Sequence, residues 1–312
     1  MATRTATLTA RTQALVTRFR RQRPLRGGSL LVTILGDAIA PRGGEIALAS
    51  LIHLARPFGL TERLVRTSVA RLANEQWVSS QRSGRSSYYR LTSQGRERFA
   101  AATARIYGGS PERWNGQWTL IILPPELKKR REELREELRW LGFGQVATGV
   151  YAHPGQAEDA IRARLVQLGS AAQPLILRAS GLDGATDRQL VSMGWDFDEL
   201  SRRYRRFIDM FAPVHAAIGP AEPELAGEIS FVLRTLLLHE YRKIHLRDPL
   251  LPAPLLPRDW VGAHAQQLCR ALYAKVFAAS ERYLSATAQT SAGPLPAASS
   301  EILQRFGGLP AP

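Results

Sequence analysis

Between Thr61 and Asn74 the chain reads TERLVRTSVARLAN. At about 100° per residue, Leu64, Val65, Ser68, Val69 and Leu72 share one side of a helix. Arg63, Arg66, Thr67, Ala70 and Asn74 share the other, with Arg71 at its edge. That second set suits the edges of base pairs. Arg can grip guanine O6 and N7 with two hydrogen bonds, Asn can read adenine, and Thr or Ala can touch a thymine methyl. Ala70 in the middle allows close approach. The bland alternative is a helix with the same polar face used for protein contacts alone.

A second group follows at SQRSGRSSYYRL. Arg82 and Arg85 flank Gly84, with Ser83, Ser86 and Ser87 as small donors. Such a basic hairpin tip can follow a phosphate backbone or enter a minor groove. Trp77, Tyr88 and Tyr89 are read as packing on neighbouring helices rather than stacking on bases.

Charge supports a polyanion partner. Of a net +15, residues 1–110 carry 18 Arg and no Lys against 5 acids, while the remainder is almost balanced at 24 basic and 22 acidic side chains. Each cation set against a phosphate releases a counterion, so a block of this kind favours double-stranded DNA. No Lys-rich amphipathic helix suggests a membrane surface. The apolar run Ile229–Leu238 is interrupted by Arg234 and is too short to span a bilayer. With no apolar signal-peptide region after the N-terminal arginines and a single cysteine, Cys269, a cytoplasmic location is expected.

Other chemistry finds little support. In HEYRKIH, His239 and His245 are six apart where a zinc helix needs four. Gly142 and Gly144 follow a helix rather than a strand, so they make no dinucleotide loop. No Lys-Ser or Lys-Thr pair follows Gly27-Gly28, and no nucleophile set stands out. Cys269 lies in an apolar helical pattern and is read as packing. The expectation is no enzyme, no catalytic residue, no metal and no cofactor.

The elements needed to position the two basic groups are legible around them. Residues 1–28 read as a flexible basic arm. A helix begins at Ser29 and runs along Leu30, Leu31, Ile34, Leu35, Ala38 and Ile39, until Pro41 and Gly43-Gly44 stop it. Then come a short strand (Glu45–Ala47), a helix (Leu48–Ala55), the Thr61-capped helix, a hairpin (Trp77–Arg82 and Ser86–Leu91) and a Thr92-capped helix (Ser93–Ile106). This is the order of a winged helix-turn-helix over 29–107. Next, over 114–182, come a strand (Gln117–Leu123), a helix (Glu126–Leu141), extended pieces (Gln145–Ala152), a helix (Gln156–Leu168) and a strand (Pro174–Ala179), an order that suggests a ferredoxin-like domain. A helical domain is expected at 187–285 and a disordered tail at 286–312. The fold class is α+β.

The run LGDAIAPRGGEIALASLIHLARPFGLTERLVRTSVARLANEQWVSSQRSGRSSYYRLTSQG resembles the PaaX family, the phenylacetic acid degradation regulators. So do WNGQWTL and, further on, LLLHEYRKIHLRDPLLPAPLLPRDW. The resemblance implies a winged helix, a Cas2-like ferredoxin-like middle domain and a helical C-terminal region. It also implies a transcriptional repressor of aromatic-acid catabolic genes that binds a palindromic operator as a homodimer. Phenylacetyl-CoA, or a related acyl-CoA, would be the effector that releases the DNA.

Two consequences follow for sites. Recognition of DNA is expected from Arg63, Arg66, Thr67, Ala70, Arg71, Asn74, Arg82, Arg85 and Ser86. An acyl-CoA needs cations for its phosphates beside an apolar recess, for which Arg202, Arg203, Arg206, His239, Arg242 and Lys243 are candidates. The Cas2 likeness raises a rival, a metal-dependent nuclease, which would carry an Asp at the end of the first middle-domain strand. Leu123 and Pro124 stand there instead. A winged-helix protein-interaction module is the remaining alternative.

Overall fold

Two threonine hydroxyls mark where two helices near the N-terminus begin. Thr61 accepts a hydrogen bond from the Leu64 amide at 3.3 Å, and Thr92 accepts one from the Gly95 amide at 2.9 Å. Each satisfies an amide that would otherwise be left without a partner at a helix start. The computed structural model describes residues 2–23, 27–108, 114–125, 131–155, 162, 174–219 and 226–309. The chain forms two units, one of residues 1–108, 205–243 and 263–312, the other of residues 109–204 and 244–262.

The first unit opens with α1 (Ala2–Arg20) and α2 (Gly27–Ile34), the latter continuing into a wider turn at Leu35–Ile39. Strand β1 (Glu45–Ala47), α3 (Leu48–Ala55) and α4 (Glu62–Asn74) follow. The hairpin strands β2 (Val78–Ser83) and β3 (Ser86–Leu91) lead to α5 (Ser93–Tyr107). β3 lies between β1 and β2, antiparallel to both. Leu30, Leu31 and Ile34 of α2, Leu51 and Leu54 of α3, and Val65, Val69 and Leu72 of α4 are all buried, and α4 packs on both α2 and α3. Burying each contributes about 1.5–3 kcal/mol, which is why the apolar stripe of α4 turns inward and its basic face outward.

The second unit contains β4 (Gln117–Ile122), α6 (Arg131–Trp140), β5 (Gly144–Ala147), β6 (Val150–His153) and β7 (Leu175–Ser180). The sheet order β5-β6-β4-β7, antiparallel throughout, is that of a ferredoxin-like domain. One face buries Ile121, Leu123 and Tyr151 against Leu134 and Leu138 of α6. The other buries Trp118 and Ala152 with Val191, Phe197, Leu251 and Leu255. Apart from Arg162, the expected helix over Gln156–Leu168 lies outside the described residues, as do the first residues of the one expected from Glu126. Helix α7 (Gly184–Gly194) also belongs to this unit.

Three long helices follow: α8 (Phe197–Ala217), α9 (Gly227–His245) and α10 (Gly262–Thr287). Two expectations need correction. The flexible arm of residues 1–28 is instead largely the helix α1, whose Leu8, Val16 and Phe19 are buried because they recur at helical spacing. The disordered tail of residues 286–312 contains a small hairpin, β8 (Gln289–Thr290) and β9 (Gly293–Pro294), then a 3₁₀ segment at Ser300–Gly307 with Ile302, Arg305 and Phe306 buried. Residues 187–285 are largely helical, and α10 and most of α8 and α9 share one unit with the winged helix.

Candidate nucleic-acid interface

The nine residues expected to meet DNA are all exposed: Arg63, Arg66, Thr67, Ala70, Arg71 and Asn74 on α4, and Arg82, Arg85 and Ser86 on the hairpin. Their neighbours Val65, Ser68, Val69 and Leu72 are buried, so the two sides of α4 are cleanly separated. Arg66 pairs with Glu62 one turn earlier at 2.7 Å, and Arg71 approaches Glu75 at 3.6 Å. Arg66 and Arg71 are more than half exposed. Pairs of that kind contribute about 0.3–0.5 kcal/mol, less than a bidentate guanine contact at about 1–3 kcal/mol. The acids therefore orient these arginines without withholding them. Thr67 Oγ1 donates to the Arg63 carbonyl at 2.9 Å.

At the wing, Ser83 pairs with Ser86 across a two-residue turn in which Gly84 has φ +58°. A side chain there would strain the backbone, so glycine keeps the turn tight with Arg82 and Arg85 at its tip. Trp77 packs edge-on against Phe99 at 5.2 Å, with the Arg98 guanidinium over its ring at 5.0 Å. It is a packing residue, in line with the sequence reading.

The wing is braced from beneath. Arg90 of β3 pairs with Glu45 of β1 at 2.5 Å, and the Ser291 amide in the β8–β9 turn donates to the same carboxylate at 2.8 Å. Hydrogen bonds from Ser291 and Arg90 hold the Glu45 carboxyl below the usual range despite some burial.

Sequence reasoning missed a buried ionic network in this unit. Asp37 lies on the turn after α2. Burial alone would push its carboxyl up, yet the guanidiniums of Arg234 and Arg305 outweigh that and hold it down. Arg234 Nε donates to Asp37 Oδ2 at 2.6 Å, and Arg305 Nη1 donates to Oδ1 at 2.6 Å. The hydroxyls of Tyr107 and Tyr273 donate to Oδ1 at 2.7 and 2.9 Å. Arg234 continues to Glu281 at 2.5 Å, which also takes Arg42 at 2.5 Å. The one legible signal was Arg234, a charge inside an apolar run.

The six cations considered for an acyl-CoA fall in both units. Arg202 and Arg203 belong to the second unit and both bind Glu199, at 2.9 and 2.7 Å. Arg206 is exposed in the first unit. Buried His239 faces Thr33 Oγ1 at 3.2 Å and the Phe19 ring at 5.5 Å. Arg242 donates to Thr33 Oγ1 at 2.8 Å and to the Ser29 carbonyl at 2.6 Å, and burial lowers its pKa to about 10. Lys243 binds Glu240 at 3.0 Å. His239 and Arg242 thus tie α9 to α2. Burial raises the Cys269 thiol well above its ordinary value, consistent with a packing role. Among the described residues no cluster of three or more His, Cys, Asp or Glu is suited to a metal, and no helix is long and apolar enough to cross a membrane.

Comparison with known proteins covers nearly the whole chain. Family models match in order: PaaX-like protein at residues 26–95, the PaaX protein central Cas2-like domain at 111–191, and the PaaX-like protein C-terminal domain at 195–286. The chain is 37% identical over 289 residues to the transcriptional repressor PaaX of Escherichia coli (strain K12), spanning 92% of each. The chain belongs to the PaaX family. Its middle domain accordingly combines a Cas2-like sequence with the ferredoxin-like strand order. At the position where a Cas2-type nuclease would hold its metal, this PaaX-family chain buries Leu123 in the sheet core. A solved structure, the uncharacterized protein Rv0674 from Mycobacterium tuberculosis, overlaps 74% of the chain and 90% of its own at 22% identity and TM-score 0.47, a likeness on which nothing rests.

Proposed function

We propose that this chain is a DNA-binding transcriptional repressor of aromatic, phenylacetate-type catabolic genes. In this reading it binds a palindromic operator as a homodimer and leaves it when an aryl-acyl-CoA such as phenylacetyl-CoA binds. The observation that carries the reading is the two-sided α4: a buried apolar stripe beneath an exposed row of Arg63, Arg66, Thr67, Ala70 and Asn74, with a basic wing beside it. The kinship with a transcriptional repressor of similar length supports the regulatory role. A two-fold dimer would present two such helices to half-sites one or more helical turns apart.

Release requires that the effector favour the state unable to bind DNA. Arg242 is the candidate cation best connected to the DNA-binding element, because it already holds Ser29 and Thr33 of α2. A coenzyme A phosphate that drew Arg242 away would loosen α2, on which α4 packs. Arg202, Arg203, Arg206, His239 and Lys243 remain the other proposed contacts. Cytoplasmic location and absence of enzymatic activity are part of the same proposal.

The test is a mobility shift with DNA upstream of the chain's own coding sequence, titrated with several acyl-CoA thioesters. A repressor of this kind retards one palindrome, less so as salt rises, and an aromatic thioester releases it. Degradation of the DNA on adding Mg²⁺ or Mn²⁺ would favour the nuclease instead. No salt-dependent DNA affinity at all would leave a protein-interaction module.

A further inference from the structure

Residues 1–36 carry seven arginines and no Asp or Glu, and α1 lies ahead of the family match that begins at residue 26. Its end is docked. Phe19 is buried edge-on between Phe58, at 6.4 Å, and His239, at 5.5 Å. That anchor sets the phase of the residues beside it. A Cβ added to Gly59, a turn residue with φ +75°, would meet Arg20 Nε at 2.5 Å, so the Arg20 side chain lies directly over that glycine. Gly59 stands two residues before Thr61, the cap of α4. Arg20, Arg21 and Arg23 are all exposed, and Arg23 Nη1 folds back onto the Arg20 carbonyl at 2.8 Å.

We infer that Arg20, Arg21 and Arg23 form a preset contact for the DNA backbone, engaging phosphates that flank the bases read by α4. The inference rests on the DNA-binding reading above and adds a surface to it. A solvated arm would lose much conformational entropy on reaching a phosphate, whereas an arginine patch on a packed helix end has already been positioned by folding. Guanidinium groups without opposing carboxylates in the same stretch match a phosphate row, and such contacts carry no base preference. The partner is therefore duplex DNA of any sequence at these positions.

The experiment compares the full chain with its R20Q/R21Q/R23Q variant and with R20K/R21K/R23K. Each is titrated by fluorescence anisotropy with a duplex from its own upstream DNA and with a scrambled duplex of equal length, over a range of salt. The expected result is weaker binding of both duplexes by the Gln variant, with the ratio between them kept. Its slope of log affinity against log salt becomes shallower by about one per arginine engaged. The Lys variant retains most of the slope, and an unchanged thermal transition for both shows that folding is intact. Unchanged affinity and slope in the Gln variant would overturn the proposal while leaving recognition by α4 standing. Absence of DNA binding by the unaltered chain would overturn both, and the two failures are thereby distinguished.

Discussion

Asp37 and Arg234 stand 197 residues apart in sequence and 2.6 Å apart in space, both buried. The pair joins the turn after α2 to the middle of α9, making the winged helix and the C-terminal helices parts of one folded unit. A mutation that disturbs α9 therefore acts on the winged helix directly.

Removing one partner of this pair leaves the other buried charge only partly compensated, Asp37 by Arg305 and Arg234 by Glu281. D37N and R234M are each expected to lower unfolding stability by about 3–5 kcal/mol, read by urea denaturation. Replacing both with apolar residues should cost clearly less than the two single losses together. If the losses simply add, the two side chains are not coupled.

Acid should weaken the unit through the same residue. Asp37 has a folded-state pKa below its unfolded value, so its stabilising contribution is present above about pH 4 and disappears as pH falls through the folded value. Stability measured against pH should fall on the acid side in the unaltered chain. D37N, already weakened, should lose part of that slope. An identical slope in both would mean that Asp37 is not held below its ordinary range.

On DNA, helix and wing should behave differently. R66A is expected to cost about 1–3 kcal/mol at one base pair and to relax preference there. R82A and R85A should weaken every duplex about equally and make the salt slope shallower by about one each. Quantitative binding to single-base-pair variants of the site separates the two. A uniform loss for R66A would make it a phosphate contact.

Beyond α10, the tail should matter to the wing. Ending the chain after Thr287 removes Ser291 from Glu45 and Arg305 from Asp37. Loss of the Arg305–Asp37 contact alone leaves a buried carboxylate short of a partner, so a drop of about 3 kcal/mol or more is expected. Faster hydrogen exchange should follow at the β1 and β3 amides. Unchanged stability and exchange would make the tail a passive appendage.

Local pattern alone determined which residues of α4 and the hairpin are exposed and which are buried. The spacing of Val65, Ser68, Val69 and Leu72 fixes which side of α4 turns inward, and Thr61, Gly84 and Thr92 mark the boundaries of these elements through capping and turn chemistry that act within a few residues. The strands of the middle domain were legible for the same reason. What only tertiary structure decided are contacts between segments far apart in the chain: Phe19 beneath Phe58, Ser291 on Glu45, and Asp37 with Arg234 and Arg305. An arginine-rich start and a Pro- and Ala-rich end read as unstructured because their local composition favours no core. They fold because distant helices supply apolar partners and counter-charges, and no periodicity within either segment records which partner that will be.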